Sequence, residues 1–242
     1  MTISEALTTI AQWAGIAMPT IYAGITFQYS LTMSLLSSTA SSPNSPLLAR
    51  QWLALYQQGP RWVPPLVQTG LLANLYLAFF ASPTPQSSAV AGTTWLEVLG
   101  LSTATVVRVL YLTAGALTIS ILPFTLLHLE PGINGACKWK VAALLGDATA
   151  AVDKNSNNNN DNTEDDNANT PKRQQKHQPF TPELSGVGRG VRRHTASEAS
   201  KRWAESRDMV ELVEEWARRN HVRWVVGVVA GALSFAGLVL RG

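Results

Sequence analysis

The chain has 242 residues, with 19 basic and 16 acidic side chains, a formal charge of +3 and one cysteine, Cys137. A lone cysteine excludes an internal disulfide and any multi-cysteine metal site. The slight positive balance does not point to nucleic acid: the basic residues are interleaved with acids or sit beside apolar runs, and no aromatic–basic stripe occurs.

Mean hydropathy is near zero, but the average hides a division. Nearly all charge falls within Lys138–Arg223, and the remainder is membrane-like. Four uncharged apolar stretches are each long enough for a bilayer, whose core takes about 20 residues of helix. Soluble amphipathic helices carry charge on one face, and these stretches carry none. The start, MTISEALTTI, lacks a basic region and does not read as a signal peptide. Ser4–Trp13 could lie on the interface. No charge stands between Glu5 and Arg50, and span one is expected at Ala14–Leu36.

Leu47–Gln58 follows a Ser/Thr/Pro-rich stretch. It places Leu48, Trp52, Leu55 and Tyr56 at helical spacing and reads as an interfacial helix ended by Gly59-Pro60. Span two is expected at Leu66–Ser82, before a Pro/Ser/Gly connection through Gly92. Span three, Val109–Leu127, contains Pro123, which should kink it and free a carbonyl.

The stretch Asp153–Gly190 includes NSNNNNDNTEDDNANT, which has almost nothing to bury and reads as disordered. GVGRG, Gly186–Gly190, lacks the strand and helix of a phosphate-binding loop. Arg192-Arg193-His194-Thr195 suits a basophilic kinase. Thr195 and Glu198 have capping-box spacing. Met209, Leu212, Val213 and Trp216 mark one face of a helix running directly into span four, Trp224–Leu240, where Gly227-x-x-x-Gly231 offers a face for close packing. This helix reads as lying on lipid headgroups or as a lid over a site.

The expected fold is therefore all-α: an integral membrane four-helix bundle with an interfacial amphipathic helix and a long disordered loop. Residues 1–152 hold spans one to three, 153–194 the Asn-rich loop, and 195–242 the amphipathic helix plus span four. The basic residues Arg50, Arg61, Lys138, Lys140, Arg218 and Arg219 lie in loops one and three, against Arg108 and Arg241 opposite. The positive-inside rule places those loops in the cytosol of a multi-pass protein, here expected in an endomembrane.

That topology draws His128, Glu130 and Asn134 toward Asn220, His221 and Arg223, with Trp52, Tyr56 and Arg61 at the same face. Plainer roles are open for each: Arg223 as a lipid-phosphate anchor, the histidines as interfacial residues, Trp216 and Trp224 as aromatic-belt residues. No HExxH, Cys/His cluster or pair of membrane carboxylates indicates a metal or haem, and nucleophile elbows, P-loops and dinucleotide fingerprints are absent. The spans hold no buried acid and no inverted repeat, which leaves little support for a transporter.

Three segments carry a resemblance. They are Trp52-Leu-Ala-Leu-Tyr56-Gln-Gln-Gly59 with Pro64-Pro65; Leu122-Pro123-Phe124-Thr125-Leu126-Leu127 with Pro131 and Asn134; and Trp216-Ala-Arg-Arg-Asn220-His-Val-Arg223. Together they resemble the fungal anthrone oxygenase family, small four-span membrane proteins. The sequence departs from that pattern where the family's Met-x-Pro-Thr-Asn reads Leu129-Glu130-Pro131-Gly132-Ile133-Asn134, and in the long Asn-rich insertion.

The resemblance implies a cofactor-independent monooxygenase of polyketide secondary metabolism. It would convert an anthrone to an anthraquinone, with molecular oxygen as co-substrate and no metal. On that expectation His221 is the base, with His128 as its alternative, and Arg223 and Asn220 stabilise the oxyanion. Trp216 and Trp52 stack on the aromatic polyketide, and Tyr56 and Asn134 complete the substrate site. The implied partners are the lipid bilayer and that substrate; a homo-oligomer stays open. The competing expectation is a noncatalytic membrane scaffold or accessory protein.

Overall fold

A computed structural model describes residues 2–81, 102–145 and 196–241, and every described regular element is helical. The elements are α1 (Ile3–Ser38), α2 (Pro46–Tyr56), α3 (Gly59–Phe79), α4 (Thr103–Pro123), a π-helical segment (Phe124–Asn134), α5 (135–145), α6 (Glu198–Glu205) and α7 (Met209–Arg241). Two helices are long and apolar enough to cross a membrane, Thr103–Leu145 and Met209–Arg241. The connection after span two, the Asn-rich stretch, GVGRG and the kinase-like motif lie outside the described residues.

Helix starts follow local chemistry. At α1 the Thr2 hydroxyl accepts from Glu5 N–H at 3.3 Å while the Glu5 carboxylate accepts from Thr2 N–H at 2.7 Å. This reciprocal capping box satisfies two otherwise orphaned donors. Ser45 caps α2, with Pro46 in its first turn. α1 therefore runs without a break through the expected interfacial start Ser4–Trp13.

Two expectations for the last third of the chain are corrected. Ser197, not Thr195, caps α6, its hydroxyl accepting from Ser200 N–H. The helix expected to run unbroken into span four stops at Glu205 and restarts at Met209. The restart has its own capping box: Asp208 accepts from Glu211 N–H at 2.8 Å, and Glu211 accepts from Asp208 N–H at 3.3 Å. Asn44 Oδ1 and Pro43 O accept from the N–H groups of Met209 and Val210, each at 3.1 Å. From Met209 onward α7 does continue through span four.

The chain forms two compact units: Met1–Thr32 with Gln58–Leu129 and Ala217–Gly242, and Met33–Gln57 with Glu130–Trp216. In the first, α1, α3, α4 and α7 pack together. One end gathers Ala11, Ala73, Leu77, Ala78, Val107 and Tyr111 with Leu240; the other gathers Tyr22, Val67 and Ile121 with Val226. α1 and α4 thus run one way and α3 and α7 the other. The chain leaves α4 and enters α7 at the same end, as the expected topology requires.

Glycines set the α1–α7 contact. A Cβ on Gly227 would lie 2.9 Å from Pro19 O, and one on Gly231 2.6 Å from Thr20 Oγ1. The Gly-x-x-x-Gly face is therefore the surface on which α1 lies. Contacts from Trp224 with Phe27 to Leu240 with the Ala11 cluster align Trp224–Leu240 with Ala11–Phe27. α1 covers the whole of the expected span Ala14–Leu36.

At the centre of this unit stands Asn74, fully enclosed. Its Oδ1 accepts from Ser234 Oγ at 2.8 Å and its Nδ2 donates to Gly70 O at 2.9 Å. Added Cβ atoms on Gly15 and Gly115 would touch it at 3.2 and 3.5 Å. One amide therefore ties α3 to α7 where small residues of α1 and α4 leave room.

Pro123 closes α4, and wide π turns follow. The backbone then breaks at Gly132, with φ −88° and ψ −110°. The expected distortion is there, spread over several residues downstream of the proline.

Candidate functional site

The eight residues singled out from sequence divide between the units. His128, Asn220, His221 and Arg223 belong to the first; Trp52, Tyr56, Asn134 and Trp216 belong to the second.

In the second unit, four of the polar and aromatic side chains meet around Glu130, a residue expected at that face but given no role. Its carboxylate accepts from the Tyr56 hydroxyl at 2.8 and 2.9 Å, from Asn134 Nδ2 at 2.9 Å, and from the Lys138 ammonium. Asn134 Oδ1 accepts in turn from Trp216 Nε1 at 2.9 Å. Trp52 stacks on Tyr56, ring centres 5.1 Å apart, and meets Trp216 edge-on at 6.1 Å. The Lys138 ammonium lies 5.1 Å from the Tyr56 ring centre.

Local backbone explains this convergence. Glu130, Asn134 and Lys138 are spaced by four, so a straight helix would put the outer two about 12 Å apart along its axis. The π turns and the Gly132 break bring carboxylate and ammonium together. Trp52 and Tyr56 face the cluster from α2 at the same spacing.

Glu130 lies past the uncharged stretch Val109–Leu127. Burial pushes its carboxyl up, but the Lys138 charge and the bonds from Lys138, Asn134 and Tyr56 outweigh that and hold it below its ordinary value. The carboxylate is charged at neutral pH and saturated with donors, which suits anchoring a buried network more than accepting a further proton. Trp52 is fully enclosed, and its indole N–H has no acceptor among the described residues. Cys137 is also enclosed, and burial pushes its thiol up, so it is a poor nucleophile.

In the first unit, Arg223 and Asn220 form a defined pair. Arg223 Nη1 donates to Asn220 Oδ1 at 3.1 Å, and Arg223 Nε donates to the Tyr22 hydroxyl at 2.8 Å. The guanidinium also lies 5.7 Å from the Tyr22 ring centre. Asn220 is 2 % exposed, and its Nδ2 has no acceptor among the described residues. His221 is exposed, 5.9 Å edge-on from Trp224, and His128 is exposed and stacked on Phe124 at 5.4 Å. No group of three or more metal-ligating side chains occurs among the described residues.

Lys138 and Tyr22 were outside the expected site, and Glu130 was expected at its face without a role there. Glu130 had a legible signal, as the only acid between Glu97 and Asp147 and four residues from Asn134. Tyr22 had none, because one tyrosine in an apolar run does not declare its partner. Compared with protein-family models, curated proteins and solved structures, the chain matches none.

Proposed function

We propose that the chain is a multi-pass membrane protein that oxidises an anthrone to an anthraquinone with molecular oxygen. One observation carries this reading: the three segments that resemble anthrone oxygenases supply a single buried network. Tyr56 comes from the first, Asn134 from the second and Trp216 from the third, joined through Glu130.

Membrane residence is supported by the outer surface of the first unit. Trp13 and Phe27 on α1, Leu72 and Phe79 on α3, Val109 on α4, and Val225 and Phe235 on α7 are all exposed. A water-soluble bundle would carry charge there. Four crossings with loops one and three in the cytosol fit the basic residues Arg61, Arg218 and Arg219 at one end of these helices, against Arg108 and Arg241 at the other.

The chemistry balances without a metal. A base removes one methylene proton, which the carbonyl and two rings acidify. The anthrolate passes an electron to oxygen, and the radical and superoxide combine into a peroxide at that carbon. The peroxide takes back the first proton from the protonated base, and loss of the second methylene proton together with the distal OH, as water, leaves the carbonyl. His221, or His128, is assigned as base, and Arg223 with Asn220 as oxyanion donors. Trp52, Trp216, Tyr56 and Asn134 form or support the substrate surface.

The test is anthraquinone formation under labelled oxygen by membranes containing the chain, beside empty-vector membranes that measure spontaneous oxidation. Labelled quinone well above background is expected. A rate at background, with folded protein and several anthrones tried, would sink the proposal. It would favour the noncatalytic scaffold, a reading that the mutual saturation of the Glu130 network also supports.

A further inference from the structure

The turn of α7 leading into span four carries more hydrogen-bond donors than the described residues satisfy. Arg223 and Trp224 follow Asn220 by three and four residues, so both neighbour it on α7. Asn220 Oδ1 is taken by Arg223 Nη1 at 3.1 Å. A guanidinium can only donate, so the amide cannot be turned round, and Nδ2 points away from Arg223. That nitrogen is buried without an acceptor among the described residues, and so is the indole N–H of Trp224. Tyr22 holds the guanidinium from α1, its hydroxyl accepting at 2.8 Å and its ring beneath. Among the described residues of this unit the only acid is Glu5, at the far end of α1. A ligand that satisfies these donors would bring its own acceptor oxygens, and a negative charge suits Arg223.

We propose that Asn220, Arg223 and Trp224 form a binding site for the phosphate group of a membrane phospholipid, with Tyr22 fixing the guanidinium. Arg223 immediately precedes the uncharged run Trp224–Leu240, the position at which a bilayer presents its headgroup phosphates. Beside it, Val222, Val225, Val228 and Val229 on α7 are exposed and give acyl chains an apolar surface. Phosphate accepts from several donors at once, and charge-assisted bonds to a guanidinium are among the stronger ones. The oxyanion role of Arg223 and Asn220 draws on the same donors, but lipid binding needs neither anthrone nor oxygen and is read without them.

The experiment uses the full chain, delipidated in detergent and titrated under native mass spectrometry. The probes are dioleoylphosphatidylglycerol, dioleoylglycerol and inorganic phosphate. The phospholipid should be retained at one site, with dioleoylglycerol and inorganic phosphate each bound at least tenfold more weakly. Asn220→Asp keeps an oxygen for Arg223, removes both amide donors and adds a repelling charge, and should weaken phospholipid binding about tenfold or more. Trp224→Phe removes one donor, should weaken it severalfold, and decides the matter if the aspartate variant fails to fold. Dioleoylglycerol binding as tightly as the phospholipid would reduce the site to apolar contact, and equal binding of inorganic phosphate would assign it to a free anion. Either result, or unchanged phospholipid affinity in the folded variants, overturns the proposal.

Discussion

Gly227→Ala tests the helix packing most directly. A methyl group there would stand 2.9 Å from Pro19 O, 3.0 Å from Ala23 Cβ and 3.2 Å from Tyr22 Cδ1. Ordinary carbon contacts lie near about 3.5–4.0 Å, so all three atoms are closer than normal by roughly 0.3 Å or more. One of them is backbone and cannot rotate away. Overpacking of this kind costs about 1–3 kcal/mol. Alanine also gains about 1 kcal/mol over glycine in a helix interior, which offsets part of the loss. Gly24, in α1, isolates that gain, since nothing lies within 4 Å of an added Cβ there. The two variants share the propensity term, so their difference reads the clash alone. Gly227→Ala should be less stable than Gly24→Ala by about 1–3 kcal/mol, measured as reversible unfolding in mixed micelles followed by circular dichroism. Gly231→Ala should cost less, because its nearest neighbour is the Thr20 hydroxyl at 2.6 Å, which can turn. A Gly227→Ala protein as stable as Gly24→Ala would refute the α1–α7 register.

Four further outcomes follow from other contacts in the fold. Glu130→Ala takes the carboxylate from Tyr56, Asn134 and Lys138 and should destabilise by about 3 kcal/mol; adding Lys138→Met should recover part of this, and strictly additive losses would refute the coupling. Because the folded Glu130 carboxyl sits below its unfolded value, its stabilisation is full above the unfolded value and is lost as pH falls through the folded one; Glu130→Gln should flatten that acid limb of the stability curve, and an unchanged limb would count against it. Asp208→Ala removes the cap on Glu211 N–H and should cost about 1 kcal/mol, with amide exchange accelerated in the first turn of α7; protection unchanged there would contradict the cap. Asn74→Leu strands the Ser234 hydroxyl from its partner and crowds Gly15 and Gly115, and should lower the unfolding midpoint more than Ser234→Ala does; the reverse order would argue against Asn74 as the hub.

The helical class and the two long apolar helices were legible because long uncharged runs have few alternatives. The Gly-x-x-x-Gly face of α7 was legible for a related reason: small residues at that spacing serve close approach, and the approach to Pro19 and Thr20 is what occurs. Helix punctuation was read less well. Thr195 and Glu198 fit the capping pattern, yet Ser197 does the capping, and the Asp208–Glu211 box went unread although its spacing is the same. Capping spacing recurs by chance in polar sequence, and only backbone geometry says which copy is used. Which part of α1 faces α7 was not legible, because its uncharged run is longer than a bilayer needs and hydropathy is uniform along it. Asn74 was overlooked because an amide in an apolar run barely changes hydropathy.

The candidate site shows a deeper limit. Sequence reading selects residues whose chemistry is unusual where they stand, and so it favoured His221 and His128. In the structure both imidazoles are exposed, while the enclosed polar chemistry gathers on Glu130 and on the Arg223–Asn220 pair. The oxidation proposed above takes two protons from one carbon. An exposed base is free to take a proton and return it to the peroxide, whereas Glu130 is committed to Lys138, Tyr56 and Asn134 and could accept a proton only by disrupting its network. Exposure of the histidines is therefore compatible with their assigned role, and the lowered carboxyl of Glu130 argues against giving it that role. If the histidines are the base, replacing both should abolish turnover without lowering stability. If Glu130 supports the site by position, Glu130→Gln should reduce activity in step with stability. Activity that survives loss of both histidines but collapses in a fully folded Glu130→Gln protein would reverse the assignment.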